Sequence, residues 1–181
     1  DAIVICFAGR LLRIKGIIQL TKAVSIIRKK YPDVYLMIAG DGEEENVLRQ
    51  SADPGVILLG RLDFEDVVTL MTQSDIFCLP SDSEGFATTV LEACACGCYV
   101  VTTEQGGSKE MITGPEYGTI ISDNKESTIV CALERLIPQK EYRKKAAEDA
   151  YERLKNNFTW DIVADKVHKL AETVSEERNI E

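Results

Sequence analysis

Six short apolar runs punctuate the chain: Ile3–Ala8, Val34–Ala39, Val56–Leu59, Ile76–Leu79, Tyr99–Thr103 and Thr119–Ile121. Most are unbroken rather than alternating, the pattern of strands covered on both faces. Between them the period changes. Ile17, Leu20, Val24 and Ile27 recur at i, i+3, i+7 and i+10, which lays one apolar stripe along a helix. Asp63, followed by Glu65 and Asp66, marks a helix start with acids in the first turn, where the helix dipole favours them. Asp123-Asn-Lys-Glu126 reads as a capping box opening another helix. Beyond Pro138 the pattern stays helical almost to the end. In the last helix Val163, Val167, Leu170 and Val174 share a face, Thr159 is placed to cap the start, and Trp160 to anchor it in the core.

Strand and helix alternate about six times, which means right-handed βαβ units and a parallel sheet with helices on both faces. The expected fold is therefore α/β, a doubly wound, Rossmann-like parallel sheet of about six strands in the order 3-2-1-4-5-6. Residues 1–181 read as one domain, with 138–181 as a helical extension, because no linker, low-complexity stretch or repeat divides them. Ligands of such sheets bind beyond the carboxyl ends of the strands, where the strand order reverses. That places the loops Gly9–Gly16 and Ser81–Phe86 on the crevice.

Composition acts mainly by exclusion. The chain has 181 residues, 45% of them hydrophobic and 28% charged, and a mean hydropathy of −0.09. These values fit a soluble globular domain rather than a collagen, a disordered tail or a disulfide framework. No apolar run approaches the roughly 20 residues of a membrane-spanning helix, and no signal-peptide pattern is present. The chain opens at Asp1 without a methionine, two residues before the first apolar run, which reads as the edge of a piece of a longer protein.

The net charge is −9, which argues against nucleic acid and anionic lipid as partners. Its distribution is uneven. From Tyr31 to Cys98 thirteen acids face only Arg49 and Arg61, whereas Arg10, Arg13 and Lys15 fall within six residues free of acid. That basic spot suits a compact anion such as a diphosphate; the alternative is a solvated loop. Of the six cysteines, Cys6 and Cys78 lie inside apolar runs, and the group Cys94, Cys96 and Cys98 lacks zinc-ligand spacing. With His168 the only histidine, no metal site is expected. The cysteines read as small core residues of a cytoplasmic protein, and His168 as a surface or packing residue.

Two loops carry the unusual residues. GRLLRIKG offers Gly9 and Gly16 for a tight turn and close backbone approach, with Arg10 and Lys15 beside the start of a helix. It matches neither the dinucleotide fingerprint nor the phosphate loop, which disfavours a nicotinamide dehydrogenase or a kinase. PSDSEGFATTVLEACACG offers Gly85 for a turn, then Thr88 and Thr89 at a helix N-terminus suited to anions. Glu92 lies four residues after Thr88, on the same helical face, and is the sole charge from Gly85 through Thr103. Such a carboxylate needs a partner if buried. Hydroxyls of a bound sugar would serve; a solvent edge or an internal pair are the alternatives. Glu84 and Glu92 form E-x7-E. The segments Gly40-Asp41-Gly42, Arg61-Leu62-Asp63 and Glu104–Glu110 end further strands on the same rim.

Taken together, GRLLRIKG, LMIAGDGEEE, VILLGRL and DIFCLPSDSEGFATTVLEACACGCYVVTTEQGGSKEMI resemble the C-terminal, donor-binding half of retaining GT-B glycosyltransferases. The nearest group is glycosyltransferase family 4, the glycosyl transferases group 1. The resemblance runs from the first strand to about Ile121, and the TW pair before an amphipathic helix adds to it. It implies a nucleoside-diphosphate sugar donor, with a UDP-sugar as the first expectation, and transfer of the sugar with retention. It implies no metal or other cofactor, since cations replace the metal. By position, Arg10 and Lys15 match the pair that grips the diphosphate, Glu84 the carboxylate against the donor sugar, and Glu92 the one that holds the ribose hydroxyls. Glu84, Arg10 and Lys15 are thus the expected catalytic group. Gly9 and Gly16 belong to the first binding loop. Gly85, Phe86 and the backbone near Thr88 and Thr89 match the turn beside sugar and phosphate, and Leu62 lies near the base.

Three positions depart from the family pattern: Ala87 where glycine is common, Tyr99 where proline is common, and Lys109 as an extra charge near the sugar end. The resemblance also implies an N-terminal domain that is absent here. That domain would hold the acceptor, a sugar, a lipid-linked sugar or another molecule, and make any membrane contact. This chain alone is expected to bind donor but to transfer little or no sugar. The alternatives are a non-catalytic nucleotide-sugar-binding or interaction domain, and a related enzyme such as a nucleotide-sugar epimerase.

Overall fold

The apolar runs become β1 (Ile3–Ala8), β2 (Val34–Ala39), β3 (Val56–Gly60), β4 (Ile76–Leu79), β5 (Tyr99–Thr103) and β6 (Thr119–Ile121). In the computed structural model, which describes residues 2–50, 53–85 and 88–178, they form one parallel sheet in the order β3-β2-β1-β4-β5-β6. The interior strands are unbroken because both faces are covered: Ile5, Cys6, Phe7, Ile76, Phe77 and Cys78 are wholly buried, and so is all of β5. The edge strand β3 alternates instead and turns Ile57 and Leu59 outward.

Helices α1 (Ile17–Arg28), α3 (Phe64–Thr72), α4 (Thr88–Ala95), α6 (Glu126–Leu136), α7 (Lys140–Asn157) and α8 (Trp160–Arg178) follow the predicted segments. The stripe Ile17, Leu20, Val24 and Ile27 is fully buried. Asp63 caps α3, its Oδ1 accepting the Asp66 amide at 3.0 Å. Two short helices, α2 (Glu45–Arg49) and α5 (Ser108–Met111), were not predicted. At the amino ends of the strands the buried Arg143 ties the layers together. It donates to the Leu136 and Ile137 carbonyls at 2.6 and 2.7 Å and to Asp75 Oδ1 at 3.2 Å, while Asp75 Oδ2 accepts the Val4 amide at 3.0 Å.

Three expectations need correction. The Asp123 carboxylate makes no capping box. It accepts the Lys125 amide at 3.0 Å and the Lys125 ammonium at 2.8 Å, and among the described residues no side chain caps α6. A short aspartate satisfies its own loop two residues on before it can reach a helix start. Trp160 is 88% exposed and is not buried in the core. Of residues 160–174 only Ile162 is partly covered, so the face of Val163, Val167, Leu170 and Val174 stands open. An apolar stripe says that a face is fit for burial, not what buries it. Among the cysteines, Cys6, Cys78, Cys94 and Cys98 are core, but Cys96 is half-buried and Cys131 exposed. His168 lies on the surface as expected, its Nε2 3.3 Å from a Glu172 oxygen. Among the described residues no helix is long and apolar enough to cross a membrane.

Candidate functional site

Strand order reverses where β1 pairs with β2 on one side and β4 on the other. The loops leaving β1 and β4 diverge there, and side chains and backbone then sew them together. The first contains a 3₁₀ turn, Arg13–Lys15, closed by Gly16 at φ 69°. A Cβ on Gly16 would lie 2.1 Å from the Pro80 carbonyl oxygen, so only glycine lets this turn press on the β4 loop. The Asp82 amide donates to the Ile14 carbonyl at 2.8 Å.

That seam brings opposite charges together. Lys15 Nζ donates to both oxygens of Glu84 at 2.7 Å, and Ser81 Oγ donates to Glu84 Oε1 at 2.6 Å. The pair is largely withdrawn from water, with side-chain exposures of 22% for Lys15 and 8% for Glu84. At that exposure an attraction is screened far less than at the surface.

Beside this clasp lies a cavity of about 460 Å³ at the carboxyl ends of β1, β2 and β3, walled by α4. Gly9, Arg10, Asp41, Arg61, Leu62, Asp63, Phe64, Thr89 and Glu92 line it. Its floor is tight: a Cβ on Gly40, at φ 137°, would sit 1.9 Å from the Gly9 carbonyl oxygen. Glu92 projects from α4 half-buried, and no group among the described residues is hydrogen-bonded to its carboxylate. The cavity therefore joins cations able to meet phosphate with carboxylates able to accept from hydroxyls. Phe64, 70% exposed, offers a flat apolar surface at the edge.

The expected residues thus divide into two groups. Gly9, Arg10, Leu62, Thr89 and Glu92 line the cavity, while Lys15, Gly16 and Glu84 form the clasp. Thr88 opens α4 and is exposed, and Gly85 is an exposed bend. Phe86 and the neighbouring Ala87 lie outside the described residues. Lys15 and Glu84, expected on the diphosphate and on the donor sugar respectively, are bonded to each other. Phe64 carries no sequence signal for the site, Ser81 and Asp41 were given no individual role, and Asp63 was read only as the start of a helix. What they share is position, since all four lie within a few residues of the carboxyl end of β2, β3 or β4. On the third loop, Lys109 pairs with Glu104, so its charge is answered within the loop. Arg153 fixes the far end of α5 by donating to the Met111 and Glu110 carbonyls at 2.9 and 2.8 Å.

The sequence profile of the glycosyl transferases group 1 matches residues 1–153. This chain belongs to that family. Among group 1 relatives, it is 33% identical over 98% of its length to one component of the human phosphatidylinositol N-acetylglucosaminyltransferase, of which it covers 37%. It spans less than half the length of the curated relatives it matches. Among solved structures, the C-terminal domain of the group 1 protein LpcC from Francisella tularensis is 25% identical, with a TM-score of 0.79 and 87% of each chain covered. Anabaena HepE, solved with UDP-glucose, shares the fold at 24% identity and a TM-score of 0.81, over 97% of this chain and 49% of that one. The six-stranded sheet in this order is the GT-B C-terminal architecture that the sequence led us to expect.

Proposed function

We propose that the crevice binds a nucleoside-diphosphate sugar and that the longer protein transfers its sugar with retention to an acceptor held outside this chain. The observation that carries the reading is the cavity beside the clasp. Arg10 and Glu92 line a space of about 460 Å³ at the point of strand-order reversal, next to the paired Lys15 and Glu84. In this reading Arg10 and Lys15 neutralise the departing diphosphate, an electrostatic role that needs no proton transfer. Glu92 accepts from the ribose hydroxyls and Glu84 from the donor sugar, while Leu62 and Phe64 meet the base. No metal is required, because the two cations supply the positive charge.

UDP is the first expectation for the nucleotide, supported by the UDP-glucose bound to HepE. Calorimetry of this chain with UDP, GDP and ADP tests the reading. Binding by one of them supports it; no binding by any at millimolar concentration overturns it. Transfer is expected only from the longer protein, so sugar transfer by this chain alone would contradict the assignment of the acceptor to another domain.

A further inference from the structure

We infer that Ser81, pinned by Thr103, is a positioning residue for the donor sugar, which it serves by orienting the Glu84 carboxylate. The inference rests on the reading of the crevice as a donor site. It starts where the β4–β5 ladder stops. The last paired residues are Leu79 and Thr102. Beyond them side chains extend the strand pairing. Thr102 Oγ1 donates to the Leu79 carbonyl at 2.9 Å, and Thr103 Oγ1 to the Ser81 carbonyl at 2.5 Å. The sheet thus fixes the backbone of Ser81 one turn short of Glu84, and both hydroxyl residues are buried, at 1% and 4% exposure.

Two donors then hold Glu84, and they differ in kind. Lys15 is a point charge on a four-carbon stem with three rotatable donors, which neutralises well and orients poorly. Ser81 has one side-chain torsion and one hydroxyl proton, aimed at Oε1 from 2.6 Å. Lys15 reaches both carboxylate oxygens, whereas Ser81 reaches only Oε1. When an incoming diphosphate draws Lys15 away, Oε1 stays on Ser81 and Oε2 is left to accept a sugar hydroxyl. Ser81 therefore decides which oxygen faces the sugar and at what angle, without touching the ligand.

The test is calorimetry on this chain with three couples: UDP and UDP-glucose, GDP and GDP-mannose, ADP and ADP-glucose. Ser81→Ala removes the hydroxyl, Thr103→Val removes the tether at constant shape, and Thr103→Ser restores it. For the couple that the parent binds, Ser81→Ala and Thr103→Val should keep nucleoside-diphosphate affinity within about twofold and lose about tenfold in affinity for the sugar nucleotide, the scale of one hydrogen bond to a charged group. Thr103→Ser should stay within about twofold of the parent for both ligands, since its hydroxyl makes the same bond. Equal losses for both ligands, or no loss for either, overturn the inference and leave the donor site standing. So does a parent that binds both ligands of a couple equally. A parent that binds no nucleoside diphosphate overturns the donor-site reading itself. If Ser81→Ala fails to fold, the Thr103 pair decides alone.

Discussion

The Lys15 ammonium lies 2.7 Å from both carboxylate oxygens of Glu84, a residue 69 positions further along the chain. One ion pair therefore closes the loop of β1 onto the loop of β4 before any ligand arrives. Removing only one partner leaves a mostly buried charge without its counterion, which costs more than the pair contributes. Lys15→Ala should lower unfolding free energy by about 1–3 kcal/mol. Lys15→Ala with Glu84→Gln should lose less than the two single changes summed. Urea denaturation of the four proteins checks this; strict additivity would show the pair to be uncoupled.

Gly16 allows that pair to form. Its φ of 69° disfavours any side chain, and its missing Cβ makes room for the Pro80 carbonyl. Gly16→Ala should cost at least about 1–2 kcal/mol from the backbone conformation alone. It should also part the two loops, so nucleoside-diphosphate affinity falls with stability. A folded, fully binding Gly16→Ala protein in calorimetry and thermal melts would contradict this picture of the seam.

The thiols should separate by burial. Burial pushes the Cys94 thiol up to about 12 and raises Cys78 and Cys96 as well, while Cys131 stands exposed on α6. Only thiolates react. Under native conditions a maleimide should label Cys131 first and Cys96 slowly, and reach Cys6, Cys78, Cys94 and Cys98 only after unfolding. Peptide mass spectrometry of a labelling time course reads the order directly.

Acid should loosen the outer rim of the sheet at Asp53. Burial raises that carboxyl, but the Gly55 amide, the Ser25 hydroxyl and the Arg28 guanidinium together hold it below its ordinary 3.8. Arg28 Nε and the Gly55 amide each approach Oδ1 to 2.8 Å. Because the folded value lies below the unfolded one, this stabilisation is complete above the unfolded value and lost as pH falls through the folded one. Unfolding free energies of the parent and Asp53→Asn, measured between about pH 6 and about pH 3, should converge at the acid end. Curves that stay parallel would remove Asp53 from the acid response.

The strands were legible almost to the residue, with β3 longer by Gly60 alone, because unbroken apolar runs between turn residues leave little choice in a parallel sheet. The helices α2 and α5 were not, since five and four residues are too few to display a period. Arg10 and Glu92 could be read as candidate site residues from charge and position, and both line the cavity. The bond between Lys15 and Glu84 could not, because it depends on Gly16 pressing against Pro80, a contact that no local pattern encodes. Ser81 was hidden for the same reason. A serine beside a proline reads as a turn until Thr103, at the end of the next strand, is seen to hold it. Trp160 failed differently, since its apolar neighbours are real but nothing among the described residues covers them.

The measurement closest to the central claim is the affinity of this chain for UDP, GDP and ADP before and after Arg10→Ala and Glu92→Gln, each with its melting temperature. Both side chains line the cavity and neither makes a described hydrogen bond that holds the fold together. If the crevice is the donor site, at least one nucleotide binds the parent, Arg10→Ala and Glu92→Gln each weaken it by about tenfold or more, and both variants melt close to the parent. A nucleotide that binds equally well to the parent and to both variants would contradict the site, whatever the family to which the fold belongs.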